Sequence, residues 1–455
     1  MKLINEKKRK VMDYKNLTEK LVNKCISKGA DSAEVYLQDG RQLNIEVRNG
    51  DVETIQENSS HGVGFRLFVK GKMAFSFCSD FSDKALDKSI ESAVRFARHT
   101  TSDENNVLPD NKEVTVVDGI YDPEIAKISI DNKIELAKKV EDIAMQDSRI
   151  TKSAGAVYGE AESEIYIANS NGLLKNYKLS GCSYGVSVVA EKGEQKSPGG
   201  KYCSRRFYSD LKTPEEIAVE AAEKAWKKLD PRKVKTQKAV VIFDTDVAGT
   251  ILGGVLGAIN GESVLQGASF LADKMGKKIS SELITMIDDG TLTKGMSTAP
   301  FDGEGVPTQN RVIVDNGILR GFMYNTIVAK RAGVKSTGNA ARGGFTALPG
   351  IGAHNFYIAN GNSSFEDIIK STKNGLLLNG VTGYGINPVN GNFSGGASGF
   401  WVKNGEIIFP VKGLTIAGTA FEMFNGIDML GNNLKPTKNF TAPTIRIREM
   451  QIGGE

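Results

Sequence analysis

The chain has 455 residues, 40% of them hydrophobic and 25% charged, with a net charge of +4. That is a globular composition, and the length suits two domains or three. So mild a charge leaves no electrostatic footprint for direct nucleic-acid binding, and the 50 glycines, well above an average share of ~7%, point to many tight turns and a β-rich part.

At the start, the basic run Lys7–Lys10 reads as the solvated beginning of a helix. No apolar stretch follows it, so no signal peptide is read. Residues 12–29 predict an amphipathic helix. From Ala33 to Glu57 apolar and polar residues alternate, with Asp39-Gly40 and Asn49-Gly50 expected as hairpin turns. A further strand pair follows around Lys70-Gly71, then a helix capped by Ser82.

The pattern recurs. Turn signals at Asn171-Gly172 and Lys192-Gly193 stand 21 residues apart, as do those at Asn49 and Lys70, and a helix over residues 211–230 closes the second unit. An internal duplication of about four strands and a helix accounts for this, although two turn matches leave coincidence as a competitor. A basic linker near Asp230–Lys233 marks the boundary. Residues 1–235 are expected to form an N-terminal α/β domain of antiparallel hairpins and helices. Residues 236–455 are expected to form a β-rich, barrel-like domain around a central glycine-rich helix, so the whole is α+β. Its hairpins are read over Asn316-Gly317 and Asn404-Gly405, and residues 441–452 read as a closing strand.

The most apolar stretch, Val247–Ile259, has 13 residues, short of the ~20 that a membrane span needs. No membrane association is expected. Cys25, Cys78, Cys182 and Cys203 show no C-x-x-C spacing and fit a reducing, cytoplasmic setting.

Chemistry-bearing motifs are scarce. His61, His99 and His354 are the three histidines, and no two share a helix face with a glutamate as a zinc peptidase requires. A cysteine–histidine nucleophile depends on spatial neighbours that a sequence does not show. Asp288-Asp289-Gly290-Thr291 has the outline of an aspartic-protease loop but no duplicated partner, so it reads as a turn after a strand. Phe301–Gly305 lacks the alternating acids of a calcium loop, and residues 333–339 have the wrong order for a phosphate-binding loop.

What stands out is glycine. Gly249, Gly253, Gly257 and Gly261 recur every fourth residue within an otherwise helical apolar pattern. Each glycine inside a helix costs ~1 kcal/mol against alanine. They would leave one face bare, either for close packing or as a groove for an extended peptide or partner chain.

Four segments carry a family resemblance: residues 257–279, 335–340, 387–407 and 410–424. With the hairpins after residue 29, they make the chain resemble the TldD/PmbA family over nearly its whole length, in particular its PmbA (TldE) branch. In the TldD branch the corresponding helix carries H-E-x-x-x-H, and a later cysteine completes a zinc site. Placed on that motif, Leu252 and Gly257 fall where the histidines stand and Gly253 where the glutamate stands. Asn260 and Glu262 belong to the same groove, and no cysteine follows Cys203. The resemblance therefore implies no catalytic residue and no metal ligand in this chain, with zinc expected on a TldD-type partner. It implies a non-catalytic subunit of a heteromeric zinc peptidase acting on unfolded proteins or peptides, together with the family's label of a DNA gyrase modulator. The alternatives are a stand-alone, homodimeric binding or regulatory protein without proteolysis, and a hydrolase with an unrecognised site.

Overall fold

The structure is a computed structural model and describes residues 12–114, 116–383 and 385–455; Lys7–Lys10 lie outside them. The N-terminal half runs α1 (Tyr14–Ser27), β1 (Ser32–Arg48), β2 (Asp51–Val69), β3 (Lys72–Cys78), α2 (Asp83–Ala97), α3 (Ile130–Met145), β4 (Ile150–Asn169), β5 (Leu174–Lys192), β6 (Gln195–Arg205) and α4 (Pro214–Trp226). The order helix–three strands–helix thus occurs twice. The two triplets form one antiparallel sheet in the order β3-β2-β1-β4-β5-β6, joined at its centre through β1 and β4.

Local sequence explains the hairpins. Asn49 and Gly50 have φ of 52° and 79°, the geometry of a two-residue turn that matches strand twist. In the second unit Gly172 and Gly193 take φ of 82° and 58° at the matching turns, so the 21-residue recurrence marks equivalent positions. The helices cover one face of the sheet. α1 and α2 bury Leu21, Ile90 and Val94 against Val35, Phe65 and Leu67. α3 and α4 bury Val140, Ile217 and Ala221 against Ile45, Tyr158 and Val186.

One expectation needs correction here. Asp39-Gly40 is not a turn: β1 passes straight through it, with Gly40 opposite Ser60 of β2 and Ser163 of β4. Ladders on both sides outweigh the local turn preference. His61 lies inside β2.

The C-terminal half begins with β7 (Gln237–Phe243), α5 (Thr245–Ala248), α6 (Ile251–Ala258) and α7 (Gly261–Leu265). It continues through β8 (Met286–Asp289), β9 (Asn310–Asp315), β10 (Ile318–Leu319), α8 (Thr326–Arg331), β11 (Ala340–Ala341), β12 (Gly350–Ile351), β13 (Asn355–Ile358) and α9 (Phe365–Lys370). It ends with β14 (Asn374–Thr382), β15 (Asn392–Lys403), β16 (Glu406–Thr419), α10 (Ala420–Asn425), β17 (Ile427–Leu430), β18 (Phe440–Thr441) and β19 (Ile445–Gly453). Strands β16-β15-β14-β7-β19 pair in sequence, and β19 returns to β16, closing a five-stranded barrel. A second sheet, β10-β9-β8-β13-β18, packs beside it. In β7 alternate residues serve two cores: Val241 and Phe243 join the main core, while Val240 and Ile242 meet α9. Burial on both faces explains the unbroken apolar run there.

The expected single glycine-rich helix is three short ones. Ile259 and Asn260 leave helical geometry because the chain there bridges to Met323: the Met323 N–H donates to Ile259 O at 2.9 Å and the Gly261 N–H to Met323 O at 2.8 Å. Asn260 then caps α7, accepting from the Glu262 N–H at 2.9 Å.

Candidate functional site

The glycine-rich segment leaves the barrel at the end of β7. Asp244 caps α5 by accepting from the Asp246 N–H at 3.1 Å. Ile251, Leu252, Val255, Ala258 and Ile259 all point into the main core, which satisfies the helical apolar spacing. The glycines do not share one role. A Cβ on Gly249 would stand 2.5 Å from Phe440 O, one on Gly257 2.8 Å from the Pro388 ring, and one on Gly261 2.3 Å from the Tyr324 ring. Gly254, outside the stripe, would meet Ile386 O at 2.2 Å. These four contacts are close packing. Gly253 alone faces open space, with nothing within 4 Å. The expected bare face is therefore reduced to the surface around Gly253.

The start of the segment adjoins a cavity. Thr245, Asp246, Gly249 and Thr250 line a space of about 710 Å³ whose other walls come from β4, β5, β6, α4, β14 and residues 435–442. Gly253 lies one turn further on, in the first turn of α6. Asp246 is ion-paired with Lys224 of α4 across the two halves. Burial alone would raise its carboxyl pKa, but Lys224, with Lys201 and Lys438, holds it below the ordinary value.

The predicted site positions offer nothing to a zinc ion. Leu252 is a fully buried hydrocarbon side chain, and glycines 253 and 257 have no side chain to donate. Zinc takes sulfur, imidazole or carboxylate donors. Asn260 spends its side-chain oxygen on its cap, and Glu262 is exposed, 3.9 Å from Arg331. Among the described residues no three of His, Cys, Asp and Glu gather in a form that could hold a metal. Zinc thus does not fit this helix.

A second polar cluster lies where the C-terminal half meets the sheet. Asp288 accepts from the His354 backbone N–H at 2.7 Å and from Asn339 Nδ2 at 2.7 Å. Burial pushes the His354 imidazole down and the Asp288 carboxyl up, each drawn back by the other's charge. Asp289 accepts from the Thr291 N–H at 2.8 Å, so the Asp288–Thr291 stretch is a strand end and its turn. Asp302 and Glu304, in the Phe301–Gly305 segment, are buried: Glu304 pairs with Arg66 of β2 at 2.7 Å. Their acidic spacing serves this junction. Burial lifts the Cys25 and Cys182 thiols to about 12, which leaves neither a thiolate near neutrality.

Sequence reading missed the lysines. Lys201, Lys224 and Lys228, with Lys435 and Lys438, meet around the cavity from segments up to 237 positions apart, and no local motif joins them.

The chain matches three profiles, described as PmbA/TldA metallopeptidase domain 1 over residues 33–97, central domain over 123–229 and C-terminal domain over 236–454. It is 34% identical over 431 residues to Metalloprotease PmbA of Escherichia coli O157:H7, covering 94% of this chain and 93% of that protein. A Metalloprotease TldD homolog of Buchnera aphidicola is 26% identical over 459 residues, covering 93% of each. Among solved structures, a candidate modulator of DNA gyrase from Bacteroides thetaiotaomicron superposes with a TM-score of 0.89 at 27% identity, covering 98% of this chain and 100% of that one. TldE from Thermococcus kodakarensis gives 0.87 at 26% identity, covering 96% and 99%. No helix among the described residues is long and apolar enough to cross a membrane.

Proposed function

This chain belongs to the PmbA/TldD metallopeptidase family, and on that premise we propose that it is the non-catalytic subunit of a heteromeric TldD/TldE-type zinc peptidase acting on peptides or unfolded proteins. One observation carries the reading: the positions that would hold a zinc motif are the core residue Leu252 and the glycines 253 and 257. The fold of a peptidase subunit is kept while its donors are absent. The chain's own contribution is then to shape a groove, with Gly253 presenting bare backbone to open space. Zinc on a TldD-type partner would supply the activated water. A gyrase-related phenotype would follow indirectly, through proteolysis.

The test is reconstitution. The chain is purified alone and with a TldD-type partner, and zinc content and cleavage of an unfolded peptide are measured for each. Negligible zinc and no cleavage by the chain alone are expected, with chelator-sensitive cleavage by the pair. Cleavage by the chain alone would overturn the reading. Stable self-association without any complex would replace it with the homodimeric binding protein.

A further inference from the structure

The cavity beside the glycine-rich segment is strongly and unevenly charged. Seven cations line it and one carboxylate, Asp246. Asp246 is already paired with Lys224, and Lys201 and Lys212 both reach Glu220. Four cations are left: Arg205, Lys228, Lys435 and Lys438, none with an acidic partner among the described residues. Arg205 gives a hydrogen bond only to the neighbouring Ser204 O, at 2.8 Å. Lys228 is half-buried, and burial together with the adjacent Lys224 pushes its ammonium pKa down. Unpaired cations converging on a partly desolvated space gain most from an anionic occupant.

We propose that this cleft binds an acidic segment of a peptide. The inference rests on the peptide-processing reading above and adds a substrate class to it. The volume, about 710 Å³, lies within the range of small-ligand sites and admits a few residues of chain. The walls are mixed: Val188, Val247 and Ala442 give apolar surface between the ammonium groups. Lysines are flexible point charges, and they suit carboxylates that arrive in varying positions. Single-stranded nucleic acid is favoured by a run of aromatic platforms along a basic groove, and here Tyr202 and Phe440 are the two aromatic side chains among glycines, aliphatic residues and lysines.

The test uses fluorescein-labelled octaglutamate, read by fluorescence anisotropy on this chain alone. Binding at least ~10-fold tighter than that of an equally long Gly-Ser peptide, and weakening with salt, is expected for a site of this charge. Charge reversal at the exposed pair Lys435→Glu/Lys438→Glu should cut affinity by ~10-fold or more, while the remote pair Lys370→Glu/Lys373→Glu should leave it unchanged. Equal affinity for the neutral peptide, or indifference to the first pair, would overturn the inference. So would displacement by inorganic phosphate at constant ionic strength, or by oligothymidylate more readily than by unlabelled octaglutamate. Neither zinc nor a partner enters this measurement. Failure to bind beside intact cleavage by the pair sinks the inference alone, and binding without any cleavage sinks only the subunit reading.

Discussion

Arg66 is almost wholly buried, and its guanidinium sits between two carboxylates: Glu34 at 2.6 Å and Glu304 at 2.7 Å. Arg342 closes the network on the other oxygen of Glu34. Removing one member of such a buried set leaves an uncompensated charge, which costs ~3–5 kcal/mol. Arg66→Met keeps the length and loses the charge, so urea denaturation should show a loss of that order, partly restored by adding Glu304→Gln. A loss below ~1 kcal/mol would mean that water reaches the site. Asp302, beside Glu304, gives a pH signature. Its carboxylate accepts from the backbone N–H groups of Glu304, Val306 and Ala340, all at 2.9 Å. Burial, and then the charge of Glu304, nevertheless push its pKa up to about 7, against ~3.9 in an unfolded chain. Between these values the folded state holds a proton that the unfolded state has released. The stabilisation is therefore full below ~pH 4 and is lost as pH rises through about 7. The stability of the wild type relative to Asp302→Asn should fall between ~pH 4 and about pH 7 and level off above, in urea titrations. A flat difference would show that the three N–H groups keep Asp302 ionised throughout.

At the scale of elements, the broken glycine helix makes a sharp prediction because two adjacent glycines differ. Gly253→Ala adds a methyl to open space in a helical position and should stabilise by ~0.5–1 kcal/mol. Gly254→Ala drives a Cβ against Ile386 O and should cost ~1–3 kcal/mol through overpacking. Thermal unfolding of the two variants checks the order, and a reversal would mean that the segment is not helical at 253. Sequence spacing located this segment and its buried face, because the apolar repeat of 251, 255 and 259 is a local signal. It did not separate the glycines, because their partners at 324, 386, 388 and 440 are remote in sequence. The Asn-Gly hairpins were legible for the converse reason: two residues fix the turn. Asp39-Gly40 misled because strands on both sides overrule two residues. Helix α3 went unread because its buried face includes Lys133 and Glu141. Those charges interrupt the apolar stripe, yet Glu141 accepts from the Asn49 and Gly50 N–H groups at 2.9 Å and so ties the two repeats together.

At the scale of the molecule, the two halves are held unevenly. Near β1 and β2 the junction is held by buried charges and an aromatic ring. It contains the Arg66 network and Phe345, whose ring and carbonyl lie where Cβ atoms on Gly62 and Gly64 would fall, at 2.3 and 2.4 Å. Near β6 the halves are separated by the lysine-lined cavity, and the contact across it includes the half-exposed pair Lys224–Asp246. Exposed ion pairs contribute ~0–1 kcal/mol, so Lys224→Met should leave thermal stability nearly unchanged. Alanine at both Gly62 and Gly64 is harmless to a strand as such, but it pushes the Phe345 loop off the sheet. Calorimetry of this double variant should resolve two transitions where the wild type, coupled through this junction, shows one. A single unshifted transition would mean that the halves are coupled elsewhere. Just past β6 the halves are tied again, by Arg206 donating to Gly295 O at 3.1 Å and to Met296 O at 2.5 Å. The cleft lined by the unpaired lysines is where an extended chain could enter without unfolding either half.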